Sequence, residues 1–165
     1  MNLSNVSIQK TSKSFDFWQY VSIVIHGREW SWLMWIFIMT TIGHGKCNLF
    51  VVRDQDTIIG GFFVADFPVA KYKPYNIFNH EAKLKIAELR RNGYLGFCCF
   101  IISPEYRNSG LGSFVWELFF ENHAVKVFFT ASQKAVPFYL RHGAKVFYSS
   151  RHTIYTYETT NKNTV

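Results

Sequence analysis

An apolar segment in the middle of the chain runs into a glycine-containing loop, and an amphipathic helix follows at once. The segment ends near Ile102, and the loop holds Gly110 and Gly112. The apolar positions beyond it recur at the spacing of one helix face: Leu111, Phe114, Val115, Leu118 and Phe119. The first N–H groups of a helix have no partner inside the helix and lie at the positive end of its dipole. Because glycines let a phosphate approach such a backbone closely, the sequence predicts a phosphate-binding loop.

Three nucleotide-binding signatures contain glycines of this kind, and their spacing separates them. The P-loop needs a hydroxyl residue after its Gly-Lys pair, but Gly45 and Lys46 are followed by Cys47. The dinucleotide fingerprint fits poorly, because Val115 stands where its third glycine should be. The segment that remains to be explained is Arg107-Asn108-Ser109-Gly110-Leu111-Gly112.

This segment resembles the Arg/Gln-x-x-Gly-x-Gly/Ala loop of the GNAT superfamily of N-acetyltransferases. A second block over residues 131–143 is similar to the family's other signature, Asn-x-x-Ala-x-x-Phe-Tyr-x-x-x-Gly-Phe. The matching positions of that block are Ala135, Phe138, Tyr139 and Gly143. Two positions depart from it, since Ser132 replaces the Asn and Ala144 replaces the final Phe. The resemblance covers residues 45–158.

The resemblance implies that acetyl-CoA is the cosubstrate and that the loop amides hold its pyrophosphate. The loop residues that it assigns to this role are Arg107, Asn108, Ser109, Gly110, Leu111, Gly112 and Ser113. It further assigns main-chain contacts with the pantetheine arm and thioester to Phe100, Ile101 and Ile102, and adds Ser132 and Phe138 from the second block. No metal is expected.

The same resemblance implies a general acid but leaves the general base open. Tyr139 matches the family's tyrosine, and a phenol is protonated at neutral pH and can donate a proton to the departing thiolate. Many family members carry a Glu on the central strand, where this chain has Cys98 and Cys99. The remaining candidates for the base are Asp66, His26, Glu29, His80 and Glu81, each also explicable as a surface or capping residue. A water chain is the other candidate.

The pattern of apolar and turn residues predicts an α/β fold in a single domain over residues 1–165. The predicted strands cover residues 6–9, 48–53, 57–65, 94–102, 125–130, 145–148 and 153–157. The predicted helices begin near Phe15 after a Ser14 cap, cover 31–42 and 79–92, follow the glycine loop, and cover 133–142. The resemblance implies that the strands form a mixed, mostly antiparallel sheet of six to seven strands, flanked by helices and splayed at its central strands to hold acyl-CoA.

Composition and charge restrict the function classes further. Hydrophobic residues make up 48% of the 165 residues, which argues against disorder. The net charge is +7, but the densest basic cluster, Lys83, Lys85, Arg90 and Arg91, is typical of a solvated helix face, so nucleic-acid binding is not favoured. The uncharged run over 30–45 is shorter than a membrane-spanning helix, which takes about 20 residues, so a membrane partner is not expected. The N-terminus has no charged segment followed at once by an apolar stretch, so a secretory signal is not favoured and a cytoplasmic location is expected.

The three cysteines do not make a disulfide framework. As neighbours on a strand, Cys98 and Cys99 are expected to point to opposite faces and to be reduced core thiols. A cysteine nucleophile would need nearby cations, and this strand has none.

The sequence thus predicts an enzyme that moves an acetyl group from acetyl-CoA directly to a primary amine of a small molecule or peptide. The acceptor is unknown, and homodimerisation stays open. Two alternatives remain: a non-catalytic acyl-CoA-binding module, and a basic interaction protein on the same fold. The aromatic residues Trp30, Trp32, Trp35 and Phe37 are interpreted as core packing rather than as an acceptor pocket.

Overall fold

The computed structural model describes residues 3–26, 47–66 and 79–159. Its helices and strands are, in chain order, β1 (Val6–Thr11), α1 (Ser14–His26), β2 (Cys47–Asp54), β3 (Thr57–Ala65), α2 (His80–Arg91), β4 (Leu95–Ile102), α3 (Leu111–Asn122), β5 (Lys126–Phe129), α4 (Val136–Arg141), β6 (Lys145–Tyr148) and β7 (Ile154–Glu158). Short 3-10 turns lie at Leu3–Asn5 and Pro104–Tyr106. The predicted helix over 31–42, with its aromatic residues, lies outside the described residues.

The strands form a seven-stranded sheet in the order β1-β2-β3-β4-β5-β7-β6. Strands β4 and β5 are parallel, and all other neighbouring pairs are antiparallel. The predicted mixed, mostly antiparallel sheet flanked by helices is therefore confirmed. One helix start differs from the prediction, because residues 133–135 form a turn closed by the Ala135 N–H on the Ser132 carbonyl (2.8 Å). Helix α4 consequently begins at Val136 rather than at residue 133.

Helices cover both faces of the sheet, and the residues of opposite faces pack in separate core clusters. On one face, Val115 and Phe119 of α3 pack in a cluster that includes Phe62 of β3. On the opposite face, Tyr20 of α1 packs in a cluster that includes Phe63. Successive strand residues point to opposite faces, so these two neighbouring phenylalanines belong to different cores. Every residue of β3 after Thr57 is buried, as expected of a strand with a partner on each side and helices on both faces.

A buried carboxylate joins β1, α1 and β2. Asp16 is 5% exposed, accepts a hydrogen bond from the Thr11 hydroxyl (2.7 Å) and pairs with the Arg53 guanidinium (2.7 Å). The hydrogen bond from Thr11 and then the contact with Arg53 lower the pKa of Asp16. This carboxylate is therefore fully engaged inside the fold.

The charged helix α2 has the character that its sequence predicts. Asn79 caps it by accepting the Ala82 N–H (2.7 Å). Two of its basic residues are paired, Lys85 with Glu88 on the same helix (3.0 Å) and Arg90 with Asp66 at the end of β3 (2.6 Å). Within the described ranges, no helix has the length and apolar character needed to cross a membrane.

An irregularity in β4 bends the sheet at its centre. Between Gly61 and Phe63, where β3 advances by two residues, β4 advances by three, from Ile101 back to Cys98. The extra residue makes a β-bulge, and Cys99 within it has a positive φ of 56°.

This bulge corrects one expectation about the cysteines. The prediction that Cys98 and Cys99 face opposite sides of β4 is wrong, because both thiols pack against the core beneath α1. An extra residue interrupts the alternation on which that prediction rested.

Tyr20 of α1 holds this bulge from the side. Its hydroxyl donates a hydrogen bond to the Cys99 carbonyl, and the residue is fully buried. Its ring lies directly on Gly61, where an added Cβ would come within 2.8 Å of Tyr20 Cδ2 and of the Phe50 carbonyl oxygen. Gly61 therefore makes the space that lets the ring approach β3, and the ring delivers the hydroxyl to β4.

Replacing Tyr20 with Phe should destabilise the fold. The Tyr20→Phe variant keeps the ring but leaves the partly buried Cys99 carbonyl without this donor, so the free energy of unfolding should fall by about 1–3 kcal/mol. Urea unfolding followed by tryptophan fluorescence measures this change. The control is Tyr148→Phe at the end of edge strand β6, which should stay within about 0.5 kcal/mol of the parent. Equal stability of both variants would contradict a structural role for the Tyr20 hydroxyl.

Candidate coenzyme site

The glycine loop follows β4 and is tied to the sheet at its start. The Ser103 N–H donates to the Ile59 carbonyl of β3 (2.8 Å), and the short turn Pro104–Tyr106 follows. Two loop residues then adopt left-handed backbone conformations, Asn108 with φ 60° and Gly110 with φ 82°. Gly110 is the N-cap of α3. The predicted helix at the glycine loop is therefore present, and it begins at Leu111.

The loop leaves the first amides of α3 available. The Phe114 N–H is the first to bond back along the helix, to the Gly110 carbonyl (3.1 Å). Among the described residues no acceptor takes the N–H groups of Gly110, Leu111, Gly112 or Ser113. A Cβ added at Gly110 would meet no atom within 4 Å, so the space next to the loop is open. An anion can therefore reach several main-chain donors at the positive end of the α3 dipole.

Side chains of the loop fix its shape rather than fill that space. Arg107 donates from Nε to the Ile102 carbonyl (3.0 Å), and the Ser109 hydroxyl donates to the Tyr106 carbonyl (2.6 Å). The guanidinium of Arg107 is thereby held between the end of β4 and the loop.

Strand β4 leaves its neighbour β5 soon after the two strands begin to pair. The pairing consists of Leu95 with Val127 and Gly96 with Phe128. Among the described residues, β4 continues beyond Gly96 to residue 102 with a strand partner on the β3 side alone, because β5 ends at Phe129. The end of β4 that carries the glycine loop therefore has an unpaired edge on the β5 side, as a splayed sheet requires.

The three strand residues assigned to the pantetheine arm point in different directions at this end of β4. Ile101 pairs with Gly61 of β3, and its side chain is buried in the core beneath α1. The Ile102 carbonyl points away from β3, since it accepts the Arg107 Nε–H. The Phe100 side chain packs on the α3 side, with its ring centroid 5.9 Å from that of Phe138.

The second sequence block lies against the first. Helix α4 brings Phe138 onto Gly112, where an added Cβ would come within 3.6 Å of its ring. Tyr139 follows on the same helix, is 8% exposed, and packs against Trp116 (5.3 Å between ring centroids) and Phe129 (4.5 Å). Ser132 is exposed, and its carbonyl accepts the N–H groups that begin the turn into α4. The structure thus brings Phe100, Gly112 and Phe138 close together, and Tyr139 is buried next to Phe138 on the same helix.

One polar contact between the two helices was not predicted from the sequence. His142 lies in the turn after α4. Its Nε2 atom is 2.9 Å from the Ser113 hydroxyl oxygen, and its Nδ1 atom is 3.5 Å from a carboxylate oxygen of Glu117. The signal in the sequence was its position, immediately before Gly143 of the second block. His142 joins α3 to α4 beside the candidate site.

The carboxylates and imidazoles considered as a general base have other places in the described structure. Asp66 is exposed and paired with Arg90 (2.6 Å). His80 and Glu81 are exposed in the first turn of α2, where a negative charge suits the helix dipole. Glu29 and the side chain of His26 lie outside the described part. No group of three or more metal-binding side chains occurs among the described residues.

The thiols of Cys47 and Cys98 near the bulge are held in their protonated form. Burial, with a smaller effect from Cys99, raises the pKa of Cys47 to about 12. Burial likewise raises the pKa of Cys98 well above its ordinary value. All three cysteines are free, and a protonated thiol is a poor nucleophile. The raised pKa values of Cys47 and Cys98 therefore disfavour these two residues as acyl-accepting nucleophiles.

The raised pKa predicts slow alkylation of Cys47 in the native protein. At pH 8 a thiol with a pKa near 12 holds about a thousandfold less thiolate than one with a pKa near 9. Labelling with iodoacetamide, mapped by mass spectrometry, should therefore be slow in buffer and fast in urea, which serves as the internal control. Rapid labelling of Cys47 in the folded chain would contradict the assignment.

Comparisons with known proteins identify solved structures that share this architecture. No protein-family model matches the chain, and no curated protein gives a significant sequence match. Three solved structures that match over most of both chains are an N-acyl amino acid synthase, FeeM, from uncultured soil microbes, an acetyltransferase from Streptococcus agalactiae, and a GNAT family acetyltransferase from Elizabethkingia anophelis with acetyl-CoA bound.

The three matches agree in fold despite low identity. FeeM has a TM-score of 0.65 at 10% identity, covering 93% of this chain and 90% of its own. The Streptococcus protein has a TM-score of 0.57 at 13% identity, and the match covers 94% of this chain and 99% of the Streptococcus chain. The Elizabethkingia protein has a TM-score of 0.58 at 11% identity, and the match covers 94% of this chain and 99% of the Elizabethkingia chain. The chain has the fold of the acyl-transferring proteins of the GNAT superfamily. The GNAT resemblance read from the two sequence blocks is confirmed at the level of fold.

Substitution of Gly110 tests the phosphate-binding loop. Valine there would strain a backbone with φ 82° and would project into the open space beside the free amides. The affinity of Gly110→Val for acetyl-CoA, measured by isothermal calorimetry, should fall at least tenfold, or about 1.4 kcal/mol.

Gly93 supplies a matched control. It has φ 81° and equally open surroundings, but it follows α2. Gly93→Val should lose comparable stability and keep the parent affinity for acetyl-CoA. Equal affinities in the two folded variants would show that the loop does not bind the coenzyme.

Proposed function

We propose that this protein is an acyl-CoA-dependent N-acyltransferase that moves an acetyl group from acetyl-CoA to a primary amine. The observation that carries the proposal is the set of unengaged amides at the start of α3, next to the point where β4 and β5 part. A pyrophosphate suits the amides, and an extended thiol-bearing arm suits a gap between two strands. The fold shared with an acetyltransferase that holds acetyl-CoA supports the same reading.

In this proposal, the loop from Arg107 to Ser113 binds the pyrophosphate through its main chain. The pantetheine arm lies along the unpaired edge of β4, beside Phe100 and Ile102, and Phe138 closes the other side. Main-chain donors at that edge would stabilise the oxyanion, a contribution of about 3 kcal/mol in comparable sites.

The acyl chain that fits is short. On the α3 side the aromatic rings are already in contact, with centroids 5.4 Å apart for Trp116 and Phe97 and 4.6 Å apart for Trp116 and Phe120. A long acyl chain would need these rings to move out of a close-packed core. Acetyl is therefore the acyl group we propose, although FeeM is an N-acyl amino acid synthase.

The chemistry is a direct transfer between the two substrates. The neutral amine attacks the thioester carbon, the new C–N bond forms, and the C–S bond breaks. Tyr139 gives its phenolic proton to the departing sulfur and recovers one from water, while the acylated nitrogen loses its extra proton to water. The raised pKa of Cys98 supports this route over an acyl-cysteine intermediate.

The test measures coenzyme binding first and turnover second. Calorimetry with acetyl-CoA should give saturable binding to the full chain, and a panel of primary amines should then release free thiol. Binding without thiol release from any amine would favour the non-catalytic module. Absence of coenzyme binding, with nucleic-acid binding at near-physiological salt, would favour the basic interaction protein.

Tyr139 is the side chain that we propose takes part in the chemical step. Tyr139→Phe removes the proton donor and keeps the ring packed against Trp116 and Phe129, so kcat should fall by about a hundredfold with little change in coenzyme affinity. A purely structural hydroxyl predicts the reverse, a stability loss of about 1 kcal/mol with full turnover.

Tyr155 is a suitable control for this variant. It is also buried, and its ring stacks on Phe129 with the centroids 5.8 Å apart. Thiol release and thermal melting should be measured on Tyr139→Phe and Tyr155→Phe together. A Tyr139→Phe enzyme that is destabilised but works at the parent rate would rule out the general-acid role.

A further inference from the structure

A cavity opens on the face of the sheet that α1 covers. Its volume is about 280 Å³, and it lies between the end of β1, the first turns of α1 and the beginning of β2. The described residues that line it divide into two kinds. Its polar part carries Lys10, Lys13 and Asn48, with hydroxyl side chains between them. Its apolar part carries Phe17, Leu49 and Phe63.

The polar part has an excess of positive charge. Neither Lys10 nor Lys13 forms an ion pair with any described residue. The nearby carboxylate of Asp16 is buried and already engaged by Thr11 and Arg53. Two ammonium groups and the Ser12 and Ser14 hydroxyls can therefore turn toward an anionic group at the mouth of the cavity.

The apolar part leads toward the bulge of β4. Phe63, which lines the cavity, pairs across the sheet with Cys98. Cys47, another lining residue, packs against the same core as Cys98 and Cys99. The apolar end of the cavity is thus on the sheet face that α1 covers, and Phe63 there is opposite Cys98, two residues beyond the last β4 residue that pairs with β5.

We propose that this cavity binds the amine acceptor and that the acceptor is amino-acid-like, with a carboxylate held by Lys10 and Lys13 and an apolar body against Phe17 and Phe63. The cavity volume of about 280 Å³ is close to the lower end of the range of ligand pockets, about 300 Å³, so it suits one small metabolite of this kind. Two unpaired cations disfavour a polyamine, which would bring like charges together. The identity of the acceptor rests on the proposed function, whereas the binding of a carboxylate in the cavity does not.

Matched pairs of amines test the carboxylate directly. L-phenylalanine and 2-phenylethylamine differ only in that group, and so do L-leucine and 3-methylbutylamine. With acetyl-CoA saturating, the parent protein should acetylate the carboxylate-bearing member of each pair with a kcat/KM at least tenfold higher. In the double variant Lys10→Gln/Lys13→Gln this preference should fall to about one, with the KM for acetyl-CoA unchanged.

A variant with the same loss of charge provides the control. Arg91→Gln/Lys145→Gln removes two exposed cations, at the end of α2 and on β6, outside the cavity. It should retain the parent preference for the carboxylate-bearing amines. Because all four side chains are exposed, both double variants are expected to fold, and thermal melting checks this.

Direct binding separates this proposal from the proposed function. Calorimetric titration of L-phenylalanine into the parent and the lysine variant reports the cavity even where no acetyl group moves. Binding that the lysine variant loses, without turnover of any amine, supports the cavity and overturns the transferase. Turnover of both members of each pair at equal efficiency keeps the transferase and overturns the carboxylate site. Absence of L-phenylalanine binding, or equal binding by the parent and the lysine variant, also overturns the carboxylate site.

Discussion

The hydrogen bond from Tyr20 to the Cys99 carbonyl secures the feature on which the candidate site depends. A bulge interrupts the ladder and increases local twist, so a strand that carries one departs from the course of its neighbour. In this chain the bulge lies just after the two residue pairs that join β4 to β5. The bulge therefore lies in the part of β4 that does not pair with β5, and α1 holds it in place through Tyr20.

Much of the fold could be predicted because its local signals agree with one another. The glycines, the helical spacing after them and the hairpin over residues 48–65 all specify their elements from short segments, and the structure places them within a few residues. The bulge could not be predicted in this way. A left-handed backbone is usually marked by glycine, but here the residue is Cys99, and its conformation is imposed by packing from α1 across the sheet.

The residues of the candidate site likewise divide into those that local sequence signals predict and those that they do not. The residues of the loop and of α4 could be assigned from the two blocks, and the structure brings Phe100, Gly112 and Phe138 together. The link from His142 to Ser113 and the cavity beside Lys10 and Lys13 depend on residues far apart in the sequence, so no motif marks them. Total charge was equally uninformative, because Lys85 and Arg90 of the densest basic cluster are paired, whereas the two lysines of the cavity form no ion pair with a described residue.

The arrangement of the two faces gives the proposed reaction a geometric logic. The amides proposed to bind phosphate belong to α3, which packs on one face of the sheet, and the cationic cavity belongs to the opposite face, beneath α1. A continuous sheet would separate the two substrates by its own thickness, with every central backbone group engaged in the ladder. Where the pairing of β4 with β5 ends, that barrier is interrupted, and an extended arm bound at the loop would reach the face proposed to hold the acceptor.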